Sequence, residues 1–335
     1  MIYIEELSTA QNVYNSSKIL CPSELMIGAI LSGGYGKRLK PITDEIPKVL
    51  VEIKENYTIM DRQLLDFKSV GIEDVFILSG HLGEKIEERY GKEYNGMRFH
   101  YLKEEKPMGT LYSVRNLLKN SGDEDIILRN GDVVTDINYG RFAQFGKESQ
   151  YGMTMLVTKM KSPYGIVELL GDQVVSFREK PVLDHYINSG MYYIKSSIKE
   201  LFFNEYNGKD IETTVYPELA RRKQIGAYRE ESFWIGVDSE KELEQVRKEY
   251  KGRDDTPYGY KRDIYSKDHM SIMEFFVRDG SSVKLSEGKI IRFIQGEGII
   301  KGSTENMYSP GKVMDMDSTL EIKAYTPTKL EVLSY

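Results

Sequence analysis

Met26-Ile-Gly-Ala-Ile-Leu-Ser-Gly-Gly-Tyr-Gly-Lys-Arg-Leu-Lys-Pro-Ile-Thr-Asp-Glu-Ile-Pro-Lys48 joins a short apolar run to a glycine loop and then to two fixed cations. Residues 26–31 have the unbroken apolar character of a strand in a parallel sheet covered on both faces. Ser32-Gly33-Gly34-Tyr35-Gly36 follows at the carboxyl end of that strand, which is where ligands of open α/β sheets bind. Glycine takes positive φ and brings the backbone close to a ligand, so loop N–H groups can cradle a phosphate. Arg38 and Lys48 then supply positive charge. The stretch reads as a nucleoside-triphosphate site.

Two commoner glycine loops fail on spacing. A Walker A loop ends in Gly-Lys-Ser/Thr, whereas Gly36-Lys37 is followed by Arg38. A dinucleotide fingerprint wants a third glycine or alanine where Leu39 stands, and a continuing helix that Pro41 interrupts. What remains is Gly-Gly-x-Gly-x-Arg-Leu followed by Pro-Lys, and on these residues the chain resembles the sugar-1-phosphate nucleotidyltransferases.

Further segments follow in the family's order. Glu104-Glu-Lys-Pro-Met-Gly-Thr110 resembles the segment that flanks the base and ribose, and Asn130-Gly131-Asp132 resembles the metal-binding Gly-Asp motif. Tyr164-Gly165-Ile-Val-Glu168, Phe177-Arg-Glu179-Lys180-Pro181 and Asn188-Ser-Gly190-Met-Tyr192 are similar to the segments that hold the sugar phosphate. The resemblance covers residues 26–250. It implies an enzyme that moves a nucleotidyl group from a nucleoside triphosphate to a hexose 1-phosphate with Mg²⁺ as cofactor, releasing pyrophosphate. It implies Leu31, Ser32, Gly33, Gly34, Gly36, Lys37, Arg38, Gly80, Pro107, Gly109 and Thr110 on the nucleotide. Gly165, Glu179, Lys180, Asn188 and Gly190 fall on the sugar phosphate, and Arg38, Lys48, Asp132, Lys180 and Asp238 in catalysis.

One departure matters. Most members end the catalytic domain with Trp-x-Asp, whose Asp is the second metal ligand, but here Trp234-Ile-Gly236-Val-Asp238-Ser stands instead. A minority pattern, resembling glucose-1-phosphate cytidylyltransferases, places the Asp two residues later, so Asp132 and Asp238 are the expected metal pair. Asp238 also suits a helix N-cap before residues 239–250, Glu179-Lys180 suits a surface pair, and Trp234 suits the core. His81 and His185 have no partner legible in the sequence.

The chain has 335 residues, 40% hydrophobic and 29% charged, which is ordinary for a globular protein. A net charge of −6 argues against a nucleic-acid surface. The single cysteine, Cys21, cannot form an internal disulfide and fits a reducing compartment. No apolar run approaches the ~20 residues of a membrane span, and the first residues do not read as a signal peptide. A cytoplasmic protein without membrane or nucleic-acid partners is expected.

Three zones follow. Residues 1–25 form an extension with an alternating strand pattern over residues 1–7. Residues 26–250 alternate apolar strands and amphipathic helices, for example a helix over 61–70 with Leu64, Leu65 and Phe67 inward, then a strand over 75–78; this is the signature of a doubly wound, mostly parallel Rossmann-like α/β sheet. A charged, turn-rich linker, residues 251–259, leads to an all-β domain within 251–335, with strands read near 271–278, 289–294, 299–300, 312–314, 319–324 and 329–333. It lacks the six-residue period of a left-handed β-helix and looks more like a cupin-type β-barrel. His269 is the only histidine there, so a structural or homo-oligomerising role is expected. The whole-chain layout is similar to mannose-1-phosphate guanylyltransferases. Glucose 1-phosphate with CTP, dTTP or UTP, a silent nucleotide-sugar-binding subunit, and a cytidylyltransferase for a non-sugar phosphate are the alternatives.

Overall fold

The computed structural model describes residues 26–286 and 289–335. The extension with its strand over residues 1–7, and the Glu287-Gly288 turn, lie outside the described residues. The described chain divides into two compact units, Met26–Lys68 with Ile72–Val246, and Ser69–Gly71 with Arg247–Tyr335.

The first unit is built on an eight-stranded sheet in the order Ile225–Arg229, Met153–Lys161, Val182–Ile194, Asp125–Asn130, Met26–Ser32, Asp74–Ser79, Met97–Lys103, Glu93–Tyr94. All run the same way except Val182–Ile194 and Glu93–Tyr94, which pair antiparallel with their neighbours. Alternation along Met26–Ser32 sends Ile27 and Ala29 into one core with Leu111, Val114 and Leu117 of the helix Thr110–Asn120. The opposite face at Gly28 meets Phe67 of the helix Ile59–Ser69, so closely that a Cβ at Gly28 would lie 2.8 Å from the ring. Helices on both faces explain why the strand carries no polar alternation.

The chain leaves the central Met26–Ser32 strand toward Asp74–Ser79 and Met97–Lys103, then returns to pair Asp125–Asn130 on its other side. The reversal creates a crevice at the carboxyl ends of these two neighbours, the usual ligand position in such sheets. The glycine loop leaves one of those ends and Gly131-Asp132 leaves the other.

The helix near residue 61 differs from its apolar reading. Leu64 and Phe67 are buried as expected, but Leu65 is only half-buried, while Asp61, Arg62, Gln63 and Asp66 are buried.

In the second unit a six-stranded and a four-stranded sheet, antiparallel at every pairing, share a core of Val277, Ile291, Phe293, Ile300, Ile322 and Leu330. The residues read as a linker are instead a hairpin, Arg253–Thr256 against Gly259–Lys267. One of its ion pairs, Arg253 with Asp255, belongs to the interior. The Arg253 guanidinium lies 4.1 Å and 4.0 Å from the ring centres of Tyr250 and Tyr260, and its Nε donates to Asp255 Oδ1 at 2.7 Å. Arg253 is 1% exposed, so a composition typical of solvated turns here conceals a buried cation.

Candidate active site

At Gly36 and Gly80 contacts leave no room for a side chain, whereas Gly34 has open space beside it and Gly33 only ordinary contacts. Gly36 sits at φ 59, where a Cβ would press on Thr43, whose hydroxyl donates to the Gly36 carbonyl at 2.9 Å. Gly80, in the loop after Asp74–Ser79, rests against Gly33, and a Cβ there would meet the Gly33 carbonyl at 2.9 Å. Among the nucleotide candidates, Ser32 turns its hydroxyl to the Leu78 carbonyl at 3.1 Å, so it ties two strands together. Lys37 lies 5.9 Å from the Tyr35 ring centre, and Tyr35 contacts His81 with ring centres 5.0 Å apart, a partner the sequence did not disclose.

The chain after Gly36 forms a 3₁₀ turn, Lys37–Leu39, breaks at Pro41, and enters a second turn, Lys48–Leu50. Val49 and Leu50 are buried there, so the turn is anchored and the Lys48 side chain points the other way. Val49 packs where Gly131 has no Cβ: an added carbon would lie 2.5 Å from Val49 Cγ1 and 2.6 Å from the Leu31 carbonyl. The Gly131 N–H donates to that same carbonyl at 2.8 Å, locking the metal-motif turn onto the strand that carries the glycine loop.

Asp238 reaches the same spot through a two-stranded ribbon. Val133–Thr135 pairs antiparallel with Trp234–Gly236, with Gly236 opposite Val133, so the residue before one strand and the residues after the other come together. Val237 N donates to the Asp132 carbonyl at 2.9 Å. The result is a four-residue cluster. Lys48 Nζ donates to Asp132 Oδ2 and to Asp238 Oδ1, both at 2.8 Å, and Arg38 Nη2 lies 2.9 Å from Asp238 Oδ1. Lys48 is 15% exposed, whereas Arg38 is 70% exposed and open to a ligand. Burial pushes the Asp238 carboxyl upward, but Lys48 and Arg38 outweigh it and hold its pKa below the ordinary value.

Helix capping does not compete for Asp238. Ser239 stands before the helix Glu240–Tyr250, and its N–H and hydroxyl are both held by Glu242, the N–H at 2.7 Å. That is the reach-back of a capping box, and it leaves Asp238 to the cations.

The segment expected to flank the base, residues 104–110, is braced from within. Glu104 accepts Met108 N–H at 3.2 Å and the Ser113 hydroxyl. Gly109 takes φ 92, and a side chain there would overlap the Lys209 carbonyl. Thr110 donates to Glu212 at 3.0 Å and accepts Ile211 N–H at 2.9 Å. Glu212, absent from the sequence-level candidates, thus joins the loop before Val215–Arg221 to this segment. Pro107 is exposed.

The sugar candidates form two groups. Gly165, Phe177 and Glu179 converge at the base of the exposed hairpin Ile166–Leu170 with Gln173–Arg178, where a Cβ on Gly165 would lie 2.6 Å from the Phe177 ring and 3.1 Å from Glu179 Oε2. Lys180, at φ 44, lies 3.3 Å from Glu179 Oε1. Asn188 donates to the Tyr192 hydroxyl at 2.7 Å and accepts Gly190 N–H at 3.0 Å, while Gly190, at φ 73, packs on Asn130 beside the Asp132 turn. Trp234 donates to the Ser189 carbonyl at 2.9 Å. Asn188 therefore uses both ends of its amide on the chain itself.

Among the described residues no group of three or more His, Cys, Asp or Glu is gathered to hold a metal. Asp132 and Asp238 nonetheless fit Mg²⁺. Both carboxylates already face one cation, and this metal is commonly bound by one or two carboxylates, with substrate phosphates and water as the other ligands.

Residues 27–252 match the nucleotidyl transferase family model, and the chain belongs to that family. It is 30% identical over 229 residues to a mannose-1-phosphate guanyltransferase of Yarrowia lipolytica and 29% identical over 229 residues to a mannose-1-phosphate guanylyltransferase catalytic subunit beta of Xenopus tropicalis. Each alignment takes in 65% of this chain and 62% of the relative's length. The fold is similar to a solved structure assigned as a glucose-1-phosphate thymidylyltransferase from Bacillus anthracis, with a TM-score of 0.57 at 19% identity over 67% of this chain and 94% of that one. A UDP-glucose pyrophosphorylase structure matches with a TM-score of 0.55 at 17% identity, covering 68% of this chain and 99% of that one. No helix among the described residues is long and apolar enough to cross a membrane.

Proposed function

We propose that the chain transfers a nucleotidyl group from a nucleoside triphosphate to a hexose 1-phosphate, forming a nucleotide sugar and pyrophosphate. The observation that carries this reading is the meeting of Asp132 and Asp238 on Lys48, with Arg38 alongside, at the reversal crevice beside the glycine loop. A phosphate oxygen of the sugar phosphate attacks the α-phosphorus, the bond to the bridging oxygen breaks, and pyrophosphate departs with the electron pair. Both reactants are anions and the nucleophile is already ionised, so the protein needs to position charge and has no proton to remove.

In this reading Arg38 offers a planar fork to the departing pyrophosphate, and Lys48 a point charge to the α- and β-phosphates. The glycine-loop N–H groups and the Gly80 and Gly109 loops hold the nucleotide. Lys180 grips the sugar phosphate, and Glu179, Asn188 and the Gly165 backbone contact sugar hydroxyls. Asp132 and Asp238 would hold Mg²⁺, which supplies Lewis-acid charge stabilisation when bound.

The alignments favour mannose 1-phosphate with GTP, since the relatives bear that name. The silent-subunit alternative rested on the missing acid at position 236; the contacts of Asp238 with Lys48 and Arg38 support Asp238 in its place. The activity and the presence of a single cysteine suit the cytoplasm, and the second unit serves structure or self-association. The test is a pyrophosphate-release screen of ATP, GTP, CTP, UTP and dTTP against mannose, glucose and galactose 1-phosphates with Mg²⁺. One sugar-dependent combination should dominate; release with none of them would defeat the proposal.

A further inference from the structure

Three of the polar residues buried on the helix Ile59–Ser69, Arg62, Gln63 and Asp66, have a common target, whereas Asp61 accepts from Thr58, Tyr90 and Arg89. Arg62 is paired with Asp66 and lies 3.6 Å from Asp136, and Arg129 lies 3.1 Å from Asp66, so two cations and two anions balance inside the unit. Each cation has a further donor. Arg62 donates to the Thr135 carbonyl at 2.8 Å and Arg129 to the Val133 carbonyl at 2.9 Å. Gln63, 0% exposed, places one Nε2 between the Asn130 carbonyl at 3.1 Å and the Val133 carbonyl at 2.9 Å. Those two carbonyls bracket Gly131-Asp132. The amide is therefore a cross-link over the turn that presents the Asp132 carboxylate.

The side-chain type fits this task. Carbonyl oxygens only accept, so the amide must face them with its nitrogen. A third Arg or Lys would upset the two-plus-two balance, and Glu would set oxygen against oxygen. The helix bears four buried polar residues where an amphipathic helix would place apolar ones. Among the described residues the Gln63 Oε1 has no hydrogen-bond partner, so the amide is held by its nitrogen alone, on the two carbonyls, and those two bonds have to offset the cost of burying it.

We propose that Gln63 is a positioning residue for Asp132, fixing the turn so that the carboxylate is held at the cation site. This rests on the reading of Asp132 as a metal-binding and catalytic group. The test uses the full chain with Gln63→Leu, which keeps the volume and removes the donor. Mn²⁺ uptake is followed by electron paramagnetic resonance without substrates, and the Mg²⁺ dependence of turnover is followed separately.

We expect the Mn²⁺ dissociation constant and the Mg²⁺ concentration for half-maximal turnover each to rise on the order of tenfold, with KM for the sugar phosphate unchanged. Phe67→Leu, on the same helix but packed at Gly28, is the control: it lowers stability and should leave Mn²⁺ uptake unmoved. If Gln63→Leu does not fold, Gln63→Asn, too short to reach both carbonyls, should give the same metal defect. Unchanged Mn²⁺ uptake in the Gln63 variant, or equal weakening by Phe67→Leu, overturns the assignment of Gln63 alone. A wild-type chain that turns over yet takes up no Mn²⁺, either alone or with a non-hydrolysable nucleoside triphosphate bound, overturns the metal reading of Asp132, and the role of Gln63 with it.

Discussion

Asp132 and Asp238 are 106 positions apart yet share one ammonium group, and Lys48 lies 2.8 Å from an oxygen of each. Two carboxylates facing each other without a cation would repel, so the basic residues of the glycine-loop segment are part of the same device. Either Asp→Asn change keeps the shape and removes the charge, and each should lower turnover on the order of 100-fold or more while circular dichroism stays that of the wild type. Asp132 is singled out by the ordered series of motifs, since a Gly-Asp after a strand is by itself often just a turn. Asp238 was legible only as one of two options, metal ligand or helix cap, since Asp and Ser both suit a helix start. The tertiary contacts answer the cap alone: Glu242 takes Ser239, and Asp238 turns to Lys48. Gln63 left no mark at all, because a Gln in an amphipathic helix reads as a solvated position until the carbonyls of another segment are known to lie above it.

Apolar strands followed by turn residues gave the right places for most strands, because burial on both faces leaves a simple pattern. The hairpin from Arg253 was misread because Arg, Asp, Gly and Pro are also the residues of linkers, and only the Tyr250 and Tyr260 rings reveal the cation as buried. Arg253→Met should cost about 3 kcal/mol, within the range for breaking a buried ion pair, seen as a lower urea midpoint with substrate KM values unchanged. Further along, the Tyr308 hydroxyl meets Thr328 Oγ1 at 2.8 Å inside the antiparallel core, and burial raises its pKa from 10.0 to about 12. The unfolded chain loses this proton first as pH rises. The stabilisation is therefore complete below pH 10 and fades as pH climbs through about 12, up to roughly 2 kcal/mol for such a shift. Urea melts at pH 8 and pH 11 should show a larger loss for wild type than for Tyr308→Phe.

Across the whole chain, a net charge of −6 means that in the proposed reaction two anionic substrates would approach an acidic protein, and the cations at Arg38, Lys48 and Lys180 would have to act locally. Fold class and family could be read from residues 26–250 because motif order follows strand order: the glycine loop, residues 104–110 and Gly131-Asp132 each stand at a strand end, while residues 188–192 lie within Val182–Ile194. The substrate could not be read, since base and sugar choice depend on backbone positions in loops such as those at Gly33, Gly80 and Gly109. Pyrophosphate release from GTP, with mannose 1-phosphate and Mg²⁺, by the wild type beside Asp238→Asn is the most direct test of the paired-carboxylate centre. We expect release that requires the sugar phosphate and nearly disappears in the variant. Near-normal release by Asp238→Asn in that assay would contradict a reaction centre built on the two aspartates.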